Sequence, residues 1–265
     1  MTAATTVGPP GTAPATGPAA SKPRGPPIDD RGTVRHDEVR AIRWTVHGFA
    51  KVAGDVDVGS TDLDGTVVVG GSVLAEELSL RGGLEARGPL TVYGALRSHG
   101  SLGAGATVRA REARLDGTVR LAGDLVVETA LRVRGDLRAP SLTCGELDLR
   151  GTAAIPGTVA ATSLDAHLVA DSSFGLIRCR RLRLRGPVPS VVRRVLGPEV
   201  TVRVERIEAE TAFVESARVG FVRAKEVVLG RNAHVRDVEG RVVRAHASSR
   251  LGPESWTPPP FGLSR

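Results

Sequence analysis

Through the middle of the chain, apolar side chains recur every six residues, at Leu78, Leu84, Leu90, Leu96, Leu102 and Val108. The ruler then slips by one residue and resumes at Leu115, Leu121, Val127 and Val133, with an interleaved row at Val119, Leu125, Leu131 and Leu137. A period of six fits neither the 3.6 of an α-helix nor the seven of a coiled coil, but it holds three strand periods of two. Each unit therefore reads as a short strand followed by a corner. Within a unit, alternate residues are apolar (Leu78 and Leu80, Leu90 and Val92, Leu147 and Leu149), so they point into one narrow interior. Glycines keep the same time at Gly82, Gly88, Gly94 and Gly100, then Gly117, Gly123 and Gly135, then Gly145, Gly151 and Gly157. They mark corners where a positive φ or close backbone approach excludes a side chain. Three units make one coil of roughly 18 residues, and coils stack about 4.8 Å apart through parallel hydrogen bonds. The expected fold is all-β, a parallel β-helix of six-residue units with three sides per coil. Leu78 is expected beneath Leu96, and Leu84 beneath Leu102.

The ruler also divides the chain. Residues 1–35 are rich in Pro, Gly, Ala and Thr, offer too little apolar surface to offset ordering, and read as a disordered tail. Residues 36–186 form the main β-helix, opened by a strand in which Ile42, Trp44, Val46 and Phe49 alternate and are expected to cap the lower end or to self-associate. Residues 187–199, bounded by Pro187 and Pro198, break the ruler as an excursion. Residues 200–251 resume it as a second β-helical segment of about three coils. Residues 252–265, with Pro258, Pro259 and Pro260 in a row, form a second tail.

Composition agrees with a thin, repetitive core: aromatic residues make up only 3% beside 32 glycines, so Leu, Val and Ala must fill the interior. The net charge of +7 is carried almost wholly by arginine, since Lys22, Lys51 and Lys225 are the only lysines. Cys144 and Cys179 are too few for a disulfide framework and match no zinc spacing; two coils apart, they read as small core residues in a reducing compartment. No basic start leads into an apolar run, and no stretch approaches the 18 or so apolar residues that span a bilayer, so the expected location is the cytoplasm, with a peripheral place at the inner face of the membrane.

Three constellations bear on chemistry. The hexapeptide ruler also belongs to left-handed β-helix acyltransferases, and Leu102 to Ala110, "LGAGATVRA", passes as their repeat, with His99 and His167 as the candidate bases. Neither histidine is accompanied by the long loop that builds a cofactor slot. Asp55, Asp57, Asp62 and Asp64 form a cluster suited to a hard cation or to polysaccharide chemistry, but the full acidic calcium loop is absent and Asn232 is the only asparagine available for a bend ladder. Solvated corner carboxylates are the expectation. In "IRCRRLRLRG", Arg181, Arg183 and Arg185 alternate with inward Leu182 and Leu184, giving an outward basic row that reads first as a solvated strand face and second as a contact for an anionic lipid surface. It lacks the interleaved aromatics of a nucleic-acid groove.

The Gly-punctuated units Gly65 to Val73, "GTVVVGGSV", and Gly88 to Leu96, "GPLTVYGAL", resemble those of the bactofilins, the polymer-forming cytoskeletal proteins of bacteria, over most of Lys51 to Gly186. The stretch "VRAKEVVLGRNAHVRDVEG", from Val222 to Gly240, resembles the terminal portion of longer relatives. The resemblance implies a right-handed β-helix that assembles end to end without nucleotide. The expected function is accordingly a non-enzymatic scaffold with no cofactor, metal or small-molecule substrate, whose partner is a second copy of itself. Two alternatives stay open: a membrane-surface adaptor using the arginine row, and a hexapeptide-repeat enzyme of the acyltransferase kind. Nucleic acid is not an expected partner.

Overall fold

The computed structural model describes residues 24–187 and 201–252. The expected tails before residue 24 and after residue 252, and the excursion from residue 188 on, lie outside the described residues. The chain is a parallel β-solenoid of about twelve turns. Its strands are β1 (Ile28–His36), β2 (Val39–Val52), β3 (Val56–Val69), β4 (Val73–Ala86), β5 (Leu90–Ala104), β6 (Val108–Leu121), β7 (Leu125–Val127), β8 (Ala130–Arg138), β9 (Leu142–Thr143), β10 (Glu146–Leu168), β11 (Ser172–Arg185), β12 (Val202–Glu215), β13 (Arg218–Leu229), β14 (His234–Ala245) and β15 (Arg250–Leu251). Each pairs in parallel with the next turn.

Three inward pairs per turn build the shaft. In β3 they are Val56 with Val58, Thr61 with Leu63, and Val67 with Val69, each separated by one outward residue. We call the three sides A, B and C in that order. Like residues stack in columns: on side B, Trp44 lies over Thr61, Thr61 over Leu78, Leu78 over Leu96, Leu96 over Ala113 and Ala113 over Leu131. On side C, Leu84 lies over Leu102. Leu78, Leu84, Leu90, Leu96, Leu102, Val108, Leu115, Leu121, Leu125 and Leu131 are all buried. Burial of each such leucine contributes roughly 1.5–3 kcal/mol. The stability is thus spread along the rod rather than concentrated in one layer.

The turns are not all of one length. Val39 pairs with Val56 and Val56 with Val73, a step of 17, whereas Leu78 pairs with Leu96, a step of 18. The extra residue enters at the corner between sides A and B, where Glu76 and Glu77 in one turn give way to Tyr93, Gly94 and Ala95 in the next, so the register shifts there. The slip of the six-residue ruler has this cause: strands keep their length and corners absorb the difference.

The corner between sides B and C is a glycine ladder. Gly48, Gly65, Gly82, Gly100, Gly117, Gly135 and Gly151 all hold a positive φ between 123° and 140°. A Cβ on Gly117 would sit 2.0 Å from the carbonyl oxygen of Gly100, so the turns meet too closely for any side chain. The ladder stops at Gly151, whose carbonyl accepts the N–H of exposed Val169.

One boundary differs from expectation. Residues 28–35, read from composition as tail, form β1, because Ile28 and Val34 fall on Trp44 and Ala50 and the backbone pairs in register. Short apolar content suffices when a preformed strand edge supplies the hydrogen bonds. At the other end, β11 pairs directly with β12, Ser172 with Val202 and Leu184 with Val214. The two repeat blocks therefore form one continuous stack.

Candidate functional site

A triangular coil scatters residues that are neighbours in sequence. Asp57 and Asp62 point outward from sides A and B, while Asp55 and Asp64 stand at two different corners. Three of them have local partners of their own. The Asp55 carboxylate accepts hydrogen bonds from the backbone N–H (2.7 Å) and hydroxyl (2.8 Å) of Ser72, which hold its pKa below the usual carboxylate value. Asp57 accepts from Arg24 Nε at 2.9 Å, and Arg24 also reaches Glu76. Asp64 lies 3.9 Å from His47. Among the described residues no three His, Cys, Asp or Glu side chains gather into a metal-holding group.

His99 stands exposed beside the glycine ladder, 3.2 Å from Asp116, and Arg114 reaches the same carboxylate at 3.2 Å. His167 is exposed on side B, paired across the strands with Arg185. The two histidines lie four turns apart and share no pocket.

Arg181, Arg183 and Arg185 do project outward from β11. They form one rung across the rod, however, and the rungs on either side are mixed. Arg181 lies between Ser163 and Thr211, Arg183 between Asp165 and Phe213, and Arg185 between His167 and Glu215. Arg183 approaches Asp165 to 4.0 Å. This part of side B holds a shallow groove of about 630 Å³, lined by mixed charge: Arg132, Asp148, Asp165 and Arg183, followed by Phe213 and Val228. A stronger basic feature runs along the axis instead. On side C, Arg203, Arg218, His234 and Arg250 stack in register over four successive turns. Its signal in the sequence is a spacing of 15 to 16 residues, too long to notice beside a six-residue ruler.

The two ends of the rod differ in chemistry. At the N-terminal end, Trp44 and Val46 are interior core residues and Ile42 and Phe49 are exposed at corners, so this strand does not close the shaft as expected. The closing turn is one step further out, in β1, because the register places Ile28 on Trp44 and Asp30 on Val46. Asp30 occupies an inward position and is nearly buried. Its Oδ2 accepts the indole N–H of Trp44 at 2.8 Å and lies 2.7 Å from His36 Nε2, and the rings of His36 and Trp44 meet edge to face at 6.4 Å. This polar network finishes the layer with its donors matched.

The C-terminal end has no such finish. Val238, Val242 and Leu251 continue the core columns of Val222, Val227 and Val235 on sides A, B and C. Nothing among the described residues lies on them: Val242 is 37% and Leu251 54% exposed, whereas Val227 and Val235 one turn below are fully buried. Among the described residues, the last turn therefore presents partly exposed core-column residues with no further strand paired to β14 beyond β15, the feature most able to hold a partner.

No family model, curated protein or solved structure matches this chain. Its fold and its ends must speak for its function. Cys144 and Cys179 belong to the shaft as well. They share a side A column with Ala161 between them, two rungs apart and out of bridging distance. Burial pushes the thiols up to about 12 and about 11. Among the described residues, no helix is long and apolar enough to cross a membrane.

Proposed function

We propose that this chain is a non-enzymatic structural scaffold of the bactofilin kind, which self-assembles end to end without nucleotide. The observation that carries the reading is the C-terminal turn, in which three core columns end with no further turn stacked on them among the described residues. A second rod seated there would bury Val238, Val242 and Leu251 and pair the open backbone, so apolar contact and strand addition together drive the association. The N-terminal turn sets Asp30 and His36 beside Ile28 and Val34, so contact at that end is more polar and weaker. Sedimentation velocity and electron microscopy of the pure protein without nucleotide test the proposal. Mass should rise with protein concentration, and Leu251→Asp together with Val242→Asp should suppress the rise. Monodisperse monomers over a wide range of concentration and salt refute it.

A second reading, an adaptor on an anionic lipid surface, draws support from the Arg203, Arg218, His234 and Arg250 column, which lines up positive charge along the rod. Co-sedimentation with vesicles of graded phosphatidylserine content discriminates it. Binding that ignores anionic lipid content removes it.

A further inference from the structure

The stack of Arg203, Arg218, His234 and Arg250 is one end of a longer column. The outward position at the middle of side C runs in register from Arg35 to Arg250, and Lys51, Arg120 and Arg138 also occupy it. Twelve rungs separate its two ends, roughly 58 Å at about 4.8 Å per rung. Among the described residues its one carboxylate is Glu85, which stands between Val68 and Gly103. Sides A and B are built differently. The outward column of side A sets Asp57, Glu208 and Glu239 among its arginines, and that of side B sets Asp29, Asp62, Asp148 and Asp165 among its own. Their charges meet in pairs, as in Arg178 with Glu208 at 2.9 Å and Arg223 with Glu239 at 3.3 Å. Positive charge is thus balanced on two sides of the rod and left in excess on the third. Side C is also flat between its basic residues, because Val68, Gly103, Ala154 and Ser173 occupy those rungs with short side chains while Arg35, Lys51, Arg120 and Arg138 are exposed.

We infer that side C is a docking face for an anionic lipid bilayer, on which the rod lies lengthwise. The inference deepens the adaptor reading and rests on it, adding which face makes the contact and how the rod is oriented. Charge complementarity selects the partner: a face with one carboxylate along its whole length is drawn to a negative surface, and the balanced faces are not. Flatness selects a bilayer over nucleic acid, since the column holds no aromatic side chain for a base to stack on and no ridge that enters a groove. A bilayer meets every rung at once, so many weak contacts add along the rod.

The test is co-sedimentation of the full chain with phosphatidylcholine vesicles, with and without phosphatidylserine. Arg35→Ala, Lys51→Ala and Arg120→Ala together remove three charges from side C, while Arg97→Ala, Arg109→Ala and Arg132→Ala together remove three from sides A and B. All six side chains are exposed, so both variants keep the fold, which circular dichroism checks. Each basic side chain at an anionic surface strengthens binding roughly fivefold, so the side C variant should bind anionic vesicles roughly a hundredfold more weakly. The control should lose less than tenfold. A solvatochromic dye reads the contact directly: on Gly103→Cys its emission should shift with anionic vesicles, and on Thr143→Cys, outward on side A, it should not. Labelling is confined to the introduced thiol because Cys144 and Cys179 are buried. Equal losses in the two variants, or equal dye shifts, overturn the face, because binding then follows net charge alone. Anionic vesicle binding that neither variant weakens also overturns it and leaves the adaptor reading standing, whereas no binding at all removes both. A short DNA duplex that displaces the rod from vesicles, and whose own binding falls with the side C variant, assigns the face to nucleic acid and overturns the lipid.

Discussion

Replacing Gly117 with alanine tests the glycine ladder most directly. Gly117 has φ 129°, a conformation that an L side chain rarely adopts, and its new Cβ would lie 2.0 Å from the Gly100 oxygen. The strained backbone alone costs about 1–3 kcal/mol. Relief of the contact requires the rung to open by more than an ångström, which weakens one or two backbone hydrogen bonds worth about 1 kcal/mol each. The expected loss is therefore about 2–5 kcal/mol. Gly103 supplies the control, since it sits three residues past Gly100 on side C, holds no positive φ, and has its nearest neighbour 3.7 Å from an added Cβ. Gly103→Ala should stabilise by about 0.5–1 kcal/mol through the reduced freedom of the unfolded chain. Urea midpoints, with hydrogen exchange on the turns holding Gly100 and Gly117, measure both, the second because a rod of repeats can open locally. If Gly117→Ala were as stable as the parent, or matched Gly103→Ala, the ladder would not be the close backbone contact described.

Four further outcomes are expected. Leu125→Asp places an unpaired charge in a fully buried column and should destabilise by about 3–5 kcal/mol, while exposed Glu128→Ala stays within about 0.5 kcal/mol; thermal melting that ranks them in reverse would show the register to be wrong. Thr61→Val removes a buried hydroxyl that has no hydrogen-bond partner between Trp44 and Leu78, and should raise stability by about 1 kcal/mol in the same melts. Asp30→Ala strands the buried indole N–H of Trp44 and should cost about 1–3 kcal/mol, with a shift in tryptophan emission; unchanged emission would mean that the network does not hold Trp44. The thiols of Cys144 and Cys179 should resist alkylation at pH 8 until the rod is unfolded. Their folded pKa values lie above the unfolded value of about 8.5, so their contribution is intact below that pH and declines as pH rises toward about 11 to 12. Alkaline melts of Cys144→Ala with Cys179→Ala should lose this slope.

The stacking was legible because a column of leucines leaves a period in the sequence, and Leu78 on Leu96 and Leu84 on Leu102 follow from it directly. Boundaries were less so. β1 holds only Ile28 and Val34 as large apolar residues, and its place depends on an edge offered by β2, which no local window contains. The Asp55 to Asp64 run is a cluster only along the sequence: in a chain that turns a corner every five or six residues, adjacent carboxylates leave by different faces. The end network of Asp30, His36 and Trp44 joins positions up to 14 residues apart, and its members carried no shared motif. The basic column of side C has a period that only the register of the second block defines.

The thirty-residue step between β11 and β12, set beside steps of 15 to 18 in most other turns, shows where such a rod tolerates novelty. The strands on either side meet as though nothing had been inserted, so added sequence at a corner alters the exterior and leaves the repeat spacing intact. Decoration and architecture are thereby uncoupled: a binding loop, a fluorescent module or an affinity tag grafted between residues 187 and 201 should ride on the shaft without lengthening it by a single rung.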